Sequence, residues 1–117
     1  MVNLTQACIE SCLRCLRDCE RFVQTCFQNP SLDSAGLERC LRACRDCIDS
    51  CNLCASLLLR EDELSAKICE FCAELCQRCS QCCRLLDGDV YAMQCAYSAR
   101  ECARLCQEIA NQELVSS

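Results

Sequence analysis

Residues 7–19 read Ala7-Cys8-Ile9-Glu10-Ser11-Cys12-Leu13-Arg14-Cys15-Leu16-Arg17-Asp18-Cys19, so cysteine returns after steps of four, three and four. Steps alternating between three and four average about 3.5 residues, the period that keeps one seam of an α-helix facing a bundle axis. The stepping persists along the chain: Cys8, Cys12, Cys15, Cys19 and Cys26; Cys40, Cys44, Cys47, Cys51 and Cys54; Cys69, Cys72, Cys76, Cys79, Cys82 and Cys83; and Cys95, Cys102 and Cys106. Phe22 and Ala99 take two seam positions that cysteine skips. The pattern predicts an all-α protein, an antiparallel up-down-up-down four-helix bundle with a cysteine-lined core.

An aliphatic seam runs beside each cysteine seam. It comprises Ile9, Leu13, Leu16, Val23 and Phe27; then Leu37, Leu41, Ile48 and Ala55; then Leu64, Ile68, Phe71 and Leu75; and finally Ala96, Ala103, Leu105 and Ile109. These are expected to hold neighbouring helices together. Arg14, Arg17, Arg21, Arg42, Arg45, Asp49, Glu70, Glu74 and Arg100 fall off both seams, as a solvent face requires.

The breaks are short: Asn29-Pro30-Ser31 with Asp33 and Ser34, Arg60-Glu61-Asp62-Glu63, and Asp87-Gly88-Asp89. Ser34 is expected to cap the second helix, the acids to crowd the first turn of the third, and Gly88 to end that helix in a left-handed conformation. Short links imply antiparallel neighbours, with helices of roughly 23 to 25 residues, about 35 Å long. Stacked this way, cysteines meet at matching heights. The expected layers are Cys8, Cys54, Cys69 and Cys106; Cys12, Cys51, Cys72 and Cys102; Cys15, Cys47 and Cys76 with Ala99; and Cys19, Cys44, Cys79 and Cys95. Cys26, Cys40 and Cys83 lie towards the far end. Cys82 stands about 80 degrees or more off its seam by helical angle.

At 117 residues the chain suits one domain, residues 1–117. It holds 19 cysteines but only two glycines and one proline, which does not suit a loop-rich disulfide scaffold. Met1-Val2-Asn3-Leu4-Thr5-Gln6 has no basic stretch or long apolar run, so the expected location is the reducing cytoplasm. No run reaches membrane-spanning length. A net charge of −5 with interspersed arginines and acids offers no basic strip for nucleic acid. With no histidine and no Gly-rich phosphate loop, catalysis is not expected.

Nineteen cysteines used only as small hydrophobes would underfill a bundle axis. Cysteines at i and i+4 point along parallel directions and cannot bridge without strain, and their total is odd, so full disulfide pairing does not fit either. A line of soft ligands does. Soft sulfur selects copper(I), zinc or iron–sulfur clusters, and the last two favour isolated sets of four ligands held by turns or loops. Copper(I) accepts two roughly linear thiolates, and a thiolate can bridge two ions. The pairs Cys8/Cys12, Cys15/Cys19, Cys40/Cys44, Cys47/Cys51, Cys72/Cys76, Cys79/Cys83 and Cys102/Cys106 have the spacing to hold and share them. One copper(I) per thiolate leaves a neutral lining, whereas a four-thiolate zinc site buries two net negative charges. The expected function is storage of multiple copper(I) ions, with all nineteen cysteines as candidate ligands. A zinc or mixed-metal buffer resembling metallothionein in function and a small iron–sulfur electron-transfer protein stand as alternatives. The apo-protein is expected to be folded.

The stretch Ala7 to Cys15, with repeated Cys-x-x-x-Cys and Cys-x-x-Cys steps on four helices, resembles the bacterial copper storage protein family over essentially the whole chain. The resemblance implies a homotetramer of copper(I)-filled bundles and, for the cytosolic branch, no export leader. A copper chaperone is a possible partner. Family members place histidines at a bundle mouth, which this chain lacks; Cys26, Cys82, Cys83 and Met93, near one end, are expected to receive copper instead.

Overall fold

A computed structural model describes residues 3–28 and 34–116, which form four helices. They are α1 (Leu4–Gln28), α2 (Ser34–Leu59), α3 (Ser65–Arg84) and α4 (Val90–Ser116), of 25, 26, 20 and 27 residues. No strand occurs among the described residues. The Asn29-Pro30-Ser31 turn with Asp33, and the Phe27 and Ser34 side chains, lie outside the described residues.

Sulfur contacts fix the helix directions. Between α2 and α3 they run Cys54–Cys69, Cys51–Cys72, Cys47–Cys76, Cys44–Cys79 and Cys40–Cys83, one number falling as the other rises. Between α1 and α4 they run Cys8–Cys106, Cys12–Cys102 and Cys19–Cys95. Both pairs are therefore antiparallel. Each helix packs on its chain neighbours, and α1 closes the ring against α4. The result is a rod of 50 × 21 × 21 Å with sulfur along its axis.

Phe22 is fully buried, filling one seam position that cysteine vacates, and the nine arginines and acids read as a solvent face are all exposed. Three aliphatic-seam residues depart from expectation: Leu13, Leu64 and Phe71 are 48%, 49% and 55% exposed. The cysteine seams fill the axis, and these three positions lie on its outer flank. Ile9, Ala55, Leu75, Ala96, Ala103, Leu105 and Ile109 do pack inside.

Helix termini explain two further differences. The acids after Arg60 precede α3 and do not occupy its first turn; Glu61 takes φ 53° and the Asp62 carboxylate accepts from the Leu64 N–H at 2.9 Å. Likewise α3 ends at Arg84 with Leu85 still right-handed, and Gly88 uses its φ of 98° further on, in the loop. The α4 cap is Asp89, whose Oδ1 accepts from Tyr91 N–H at 2.9 Å and Ala92 N–H at 3.0 Å. Asn3 caps α1, accepting from Gln6 N–H at 2.7 Å.

Asp89→Ala should cost about 1 kcal/mol and lower the apo-protein Tm by about 4 °C, while Asp89→Asn keeps the cap and stays near wild type. Phe22→Ala should cost about 3–5 kcal/mol. Thermal melts followed by circular dichroism check both.

Candidate metal centre

Eighteen of the nineteen cysteines are buried, Cys82 alone is partly exposed, and all are free thiols. Four tetrads and one triad bring their sulfurs within 4.8 Å of one another: Cys8, Cys12, Cys54 and Cys106; Cys12, Cys51, Cys72 and Cys102; Cys15, Cys47, Cys51 and Cys76; Cys19, Cys44, Cys79 and Cys95; and Cys40, Cys44 and Cys83. The second and fourth are layers expected from the stepping. In the first, Cys12 stands where Cys69 was expected, although Cys69 touches Cys54 at 3.6 Å. In the third, Cys51 supplies the sulfur that Ala99 lacks.

The shortest sulfur approaches are between helices. Cys40–Cys83 lie 3.1 Å apart, Cys15–Cys47 and Cys19–Cys95 3.3 Å, Cys47–Cys76 3.4 Å and Cys8–Cys106 3.5 Å. The Cys-x-x-x-Cys contacts are longer: 3.9 Å for Cys47–Cys51, 3.8 Å for Cys72–Cys76 and 4.0 Å for Cys102–Cys106. The helical rise separates i and i+4 by about 6 Å along the axis, whereas facing side chains converge on it. The donor set is thus built chiefly across helices, more than the same-helix spacing suggested.

Followed from sulfur to sulfur at separations up to 4.0 Å, the contacts form two sets, which the interactions of Cys19 with Cys15 and Cys47 link into one column. Cys8, Cys12, Cys15, Cys47, Cys51, Cys54, Cys69, Cys72, Cys76, Cys102 and Cys106 are joined in one. Cys19, Cys40, Cys44, Cys79, Cys83 and Cys95 are joined in the other. Cys26 is buried at the far end and belongs to neither. Cys82 faces a groove between α2 and α3 beside Arg39, Arg42 and Arg78, away from the axis. Met93 is half-buried against the core.

Sulfur–sulfur hydrogen bonds divide the protons unevenly. The Cys106 contact lowers Cys8 and Cys102, Cys19 lowers Cys44, Cys15 lowers Cys47, and Cys102 lowers Cys72. Cys19 also brings Cys95 down to about 6. Their partners hold protons more tightly: Cys102 raises Cys12, Cys51, Cys76 and Cys106, and raises Cys15 to about 12. Cys15, first among several neighbours, raises Cys19. Each tetrad and the triad contain at least one thiol disposed to ionise, which is the ligand form.

Serines escaped the sequence reading. Ser50 Oγ donates to Cys72 Sγ at 3.5 Å and to the Cys47 carbonyl at 3.2 Å, Ser80 donates to the Ala96 carbonyl at 2.9 Å, and Ser98 donates to the Asp18 carboxylate. Their signal was a polar residue one step off a seam, as in Asp49-Ser50-Cys51.

An all-sulfur lining with shared thiols, no carboxylate and no imidazole defines the class: a helical bundle built to hold soft, low-coordinate metal ions in number. A family model described as copper storage protein matches residues 1–111, and the chain belongs to that family. Copper(I)-bound copper storage protein BsCsp3 is similar at 27% identity and a TM-score of 0.82, over 92% of this chain and 99% of that one. Apo copper storage protein 3 from Bacillus subtilis is also 27% identical, with a TM-score of 0.74 over 91% of this chain and 98% of that one. The Nmul_A1745 protein of Nitrosospira multiformis is 29% identical, with a TM-score of 0.81 over 93% and 96%. No curated protein matches the chain significantly.

Burial first, and then the Asp89 carboxylate, raise Cys26 to about 11 from an ordinary 9.0. An unfolded chain sheds this proton first, so the contribution of Cys26 to stability is complete below about 9 and is lost as pH rises through about 11. Cys15 has the same sign, whereas the lowered Cys95 contributes fully above 9.0 and loses its contribution as pH falls through about 6. The apo-protein should therefore be most stable near pH 9, and Cys26→Ala should flatten the alkaline limb of a Tm-versus-pH curve measured anaerobically.

Proposed function

We propose that this protein stores copper(I) as thiolate-bridged clusters along the bundle axis. The carrying observation is that neighbouring groups share ligands: Cys12 and Cys51 each belong to two tetrads, and Cys44 belongs to a tetrad and the triad. A thiolate shared between groups can bridge ions, so capacity grows with the number of cysteines. Copper(I) is the cargo; its arrival displaces thiol protons and leaves a neutral lining, which a buried core tolerates better than isolated four-thiolate zinc centres. The proposed ligands are the seventeen thiols that each touch at least one other, with Cys26 and Cys82 as accessory positions. Similarity to a copper(I)-bound relative supports the choice of metal.

The proposal includes a single domain spanning 1–117, no catalytic activity, a cytoplasmic location and assembly as a homotetramer, with a copper chaperone as donor. Nineteen free thiols suit a reducing compartment. No helix among the described residues is long and apolar enough to cross a membrane. Leu53 and Phe71, 49% and 55% exposed beside one groove between α2 and α3, give self-association an apolar surface.

Anaerobic titration of the reduced protein with copper(I) against a competing chelator should saturate at roughly 15 to 20 ions per chain, the bridging-ligand expectation. Saturation at four or fewer would favour a zinc or redox reading. The Cys26→Ser/Cys82→Ser double variant should lose no more than about two ions, one for each thiol removed. Sedimentation velocity should give a tetramer, and a monomer at micromolar concentration would remove that part of the proposal.

A further inference from the structure

Phe22 occupies the α1 seam where a cysteine would extend the column. The antiparallel register that sets Cys8 against Cys106, Cys12 against Cys102 and Cys19 against Cys95 brings Phe22 level with Ala92. Two helical turns on from the Cys15–Cys47 contact, the same level on α2 holds Cys40, and Cys40 meets Cys83 of α3. All four residues are fully buried. Because α1 and α4 supply a ring and a methyl here, the sulfur group is a triad that borrows Cys44 from the neighbouring level.

Cys26 follows one turn later on the same seam, about 6 Å further along by the helical rise. It is 6% exposed and belongs to none of the sulfur groups. Its interactions with Cys44 and Cys95 are coulombic, without the hydrogen bonds that join the thiols of the column. The opposite end is built differently. Beyond Cys8, Cys54, Cys69 and Cys106 no seam carries a further cysteine. Leu58 and Ala110 are buried there, and Leu4 packs against the core. One end of the column is therefore closed by hydrocarbon, and the other has a thiol standing outside an aromatic ring.

Copper(I) is held by soft donors, and a benzyl side chain offers it no lone pair. An ion on Cys26 reaches Cys40 or Cys83 when the ring turns aside. We propose that Phe22 is the gate of the store, separating an outer receiving thiol, Cys26, from the shared thiols of the column. The crossing is a ligand exchange without electron transfer. The copper(I)–Cys26 bond breaks, a bond to the Cys40 or Cys83 sulfur forms, and the proton displaced there passes to Cys26. This role rests on the storage reading.

The test separates rate from capacity. Reduced protein is mixed anaerobically with a copper(I)–chelator complex for uptake, and loaded protein with excess chelator for release, both followed by chelator absorbance. Phe22→Met keeps most of the bulk but puts a thioether at the gate, and Phe22→Ala removes the ring. Each should load and unload severalfold faster than wild type, with capacity changed by no more than about one ion. Cys26→Ser should load more slowly. Leu58→Ala opens a cavity at the hydrocarbon end and controls for general loosening of the bundle; its rates should match wild type.

Wild-type rates in both Phe22 variants, equal acceleration in Leu58→Ala, or unchanged loading in Cys26→Ser would each overturn the gate. Phe22→Met decides if Phe22→Ala does not fold, as judged by circular dichroism. Absence of copper uptake in wild type would remove the storage reading and the gate with it, whereas normal capacity with unaltered rates removes only the gate.

Discussion

The convergence of thiols on one axis is the constraint on which the rest of the molecule depends. Cysteine is short, so four helices lined with it must come close before the axis is filled. Sulfurs then meet at 3.1–3.9 Å between helices, and these contacts fix both register and direction. A helix displaced by one residue would lose its whole column of partners. Phe22 shows the alternative filling, a single large side chain at a level without a cysteine on α1. Outside the axis, the ion pairs among the described residues are i,i+3 or i,i+4 pairs on the surface such as Arg78–Glu74 and Arg104–Glu108, which water screens. The surface therefore contributes little to choosing this fold.

The same constraint explains what could be read in advance. Alternating steps of three and four are a statement about one helical face, and short links make the neighbours antiparallel, so the second and fourth tetrads followed from residue numbers alone. What stayed hidden depends on distances across the bundle. That Cys51 would lean towards Cys76 at 3.8 Å to serve the level lacking a sulfur on α4 is a matter of side-chain reach. So is the outward position of Phe71 and Leu13. The α3 boundary was misplaced because three consecutive acids look like first-turn residues, whereas Asp62 acts from the loop, accepting the Leu64 N–H and the Ser65 hydroxyl through its carboxylate and carbonyl respectively.

Hydrogen bonding between thiols also bears on how the core tolerates being metal-free. A protonated thiol is neutral and a weak donor and acceptor, so a touching pair satisfies itself without water. The buried serines are satisfied as well, and no buried side-chain nitrogen or oxygen among the described residues lacks a partner. The axis therefore needs no water to satisfy its polar groups. Uneven proton sharing leaves Cys8, Cys44, Cys47, Cys72, Cys95 and Cys102 as the thiols most ready to become ligands, and they are spread over every level of the column.

The proposed store contrasts with small metallo-domains that fold only around their ion. There, the free energy of binding is spent on organising the chain, and the apo state is disordered. Here the seams, the Asp89 and Asn3 caps and the buried Phe22 are packing and hydrogen bonds that involve no ion, as a chain expected to fold before loading requires. A store must release its cargo without losing its shape. A prefolded thiol column meets that requirement because each departing ion is replaced by protons, and the sulfur contacts that hold the helices in register can form again.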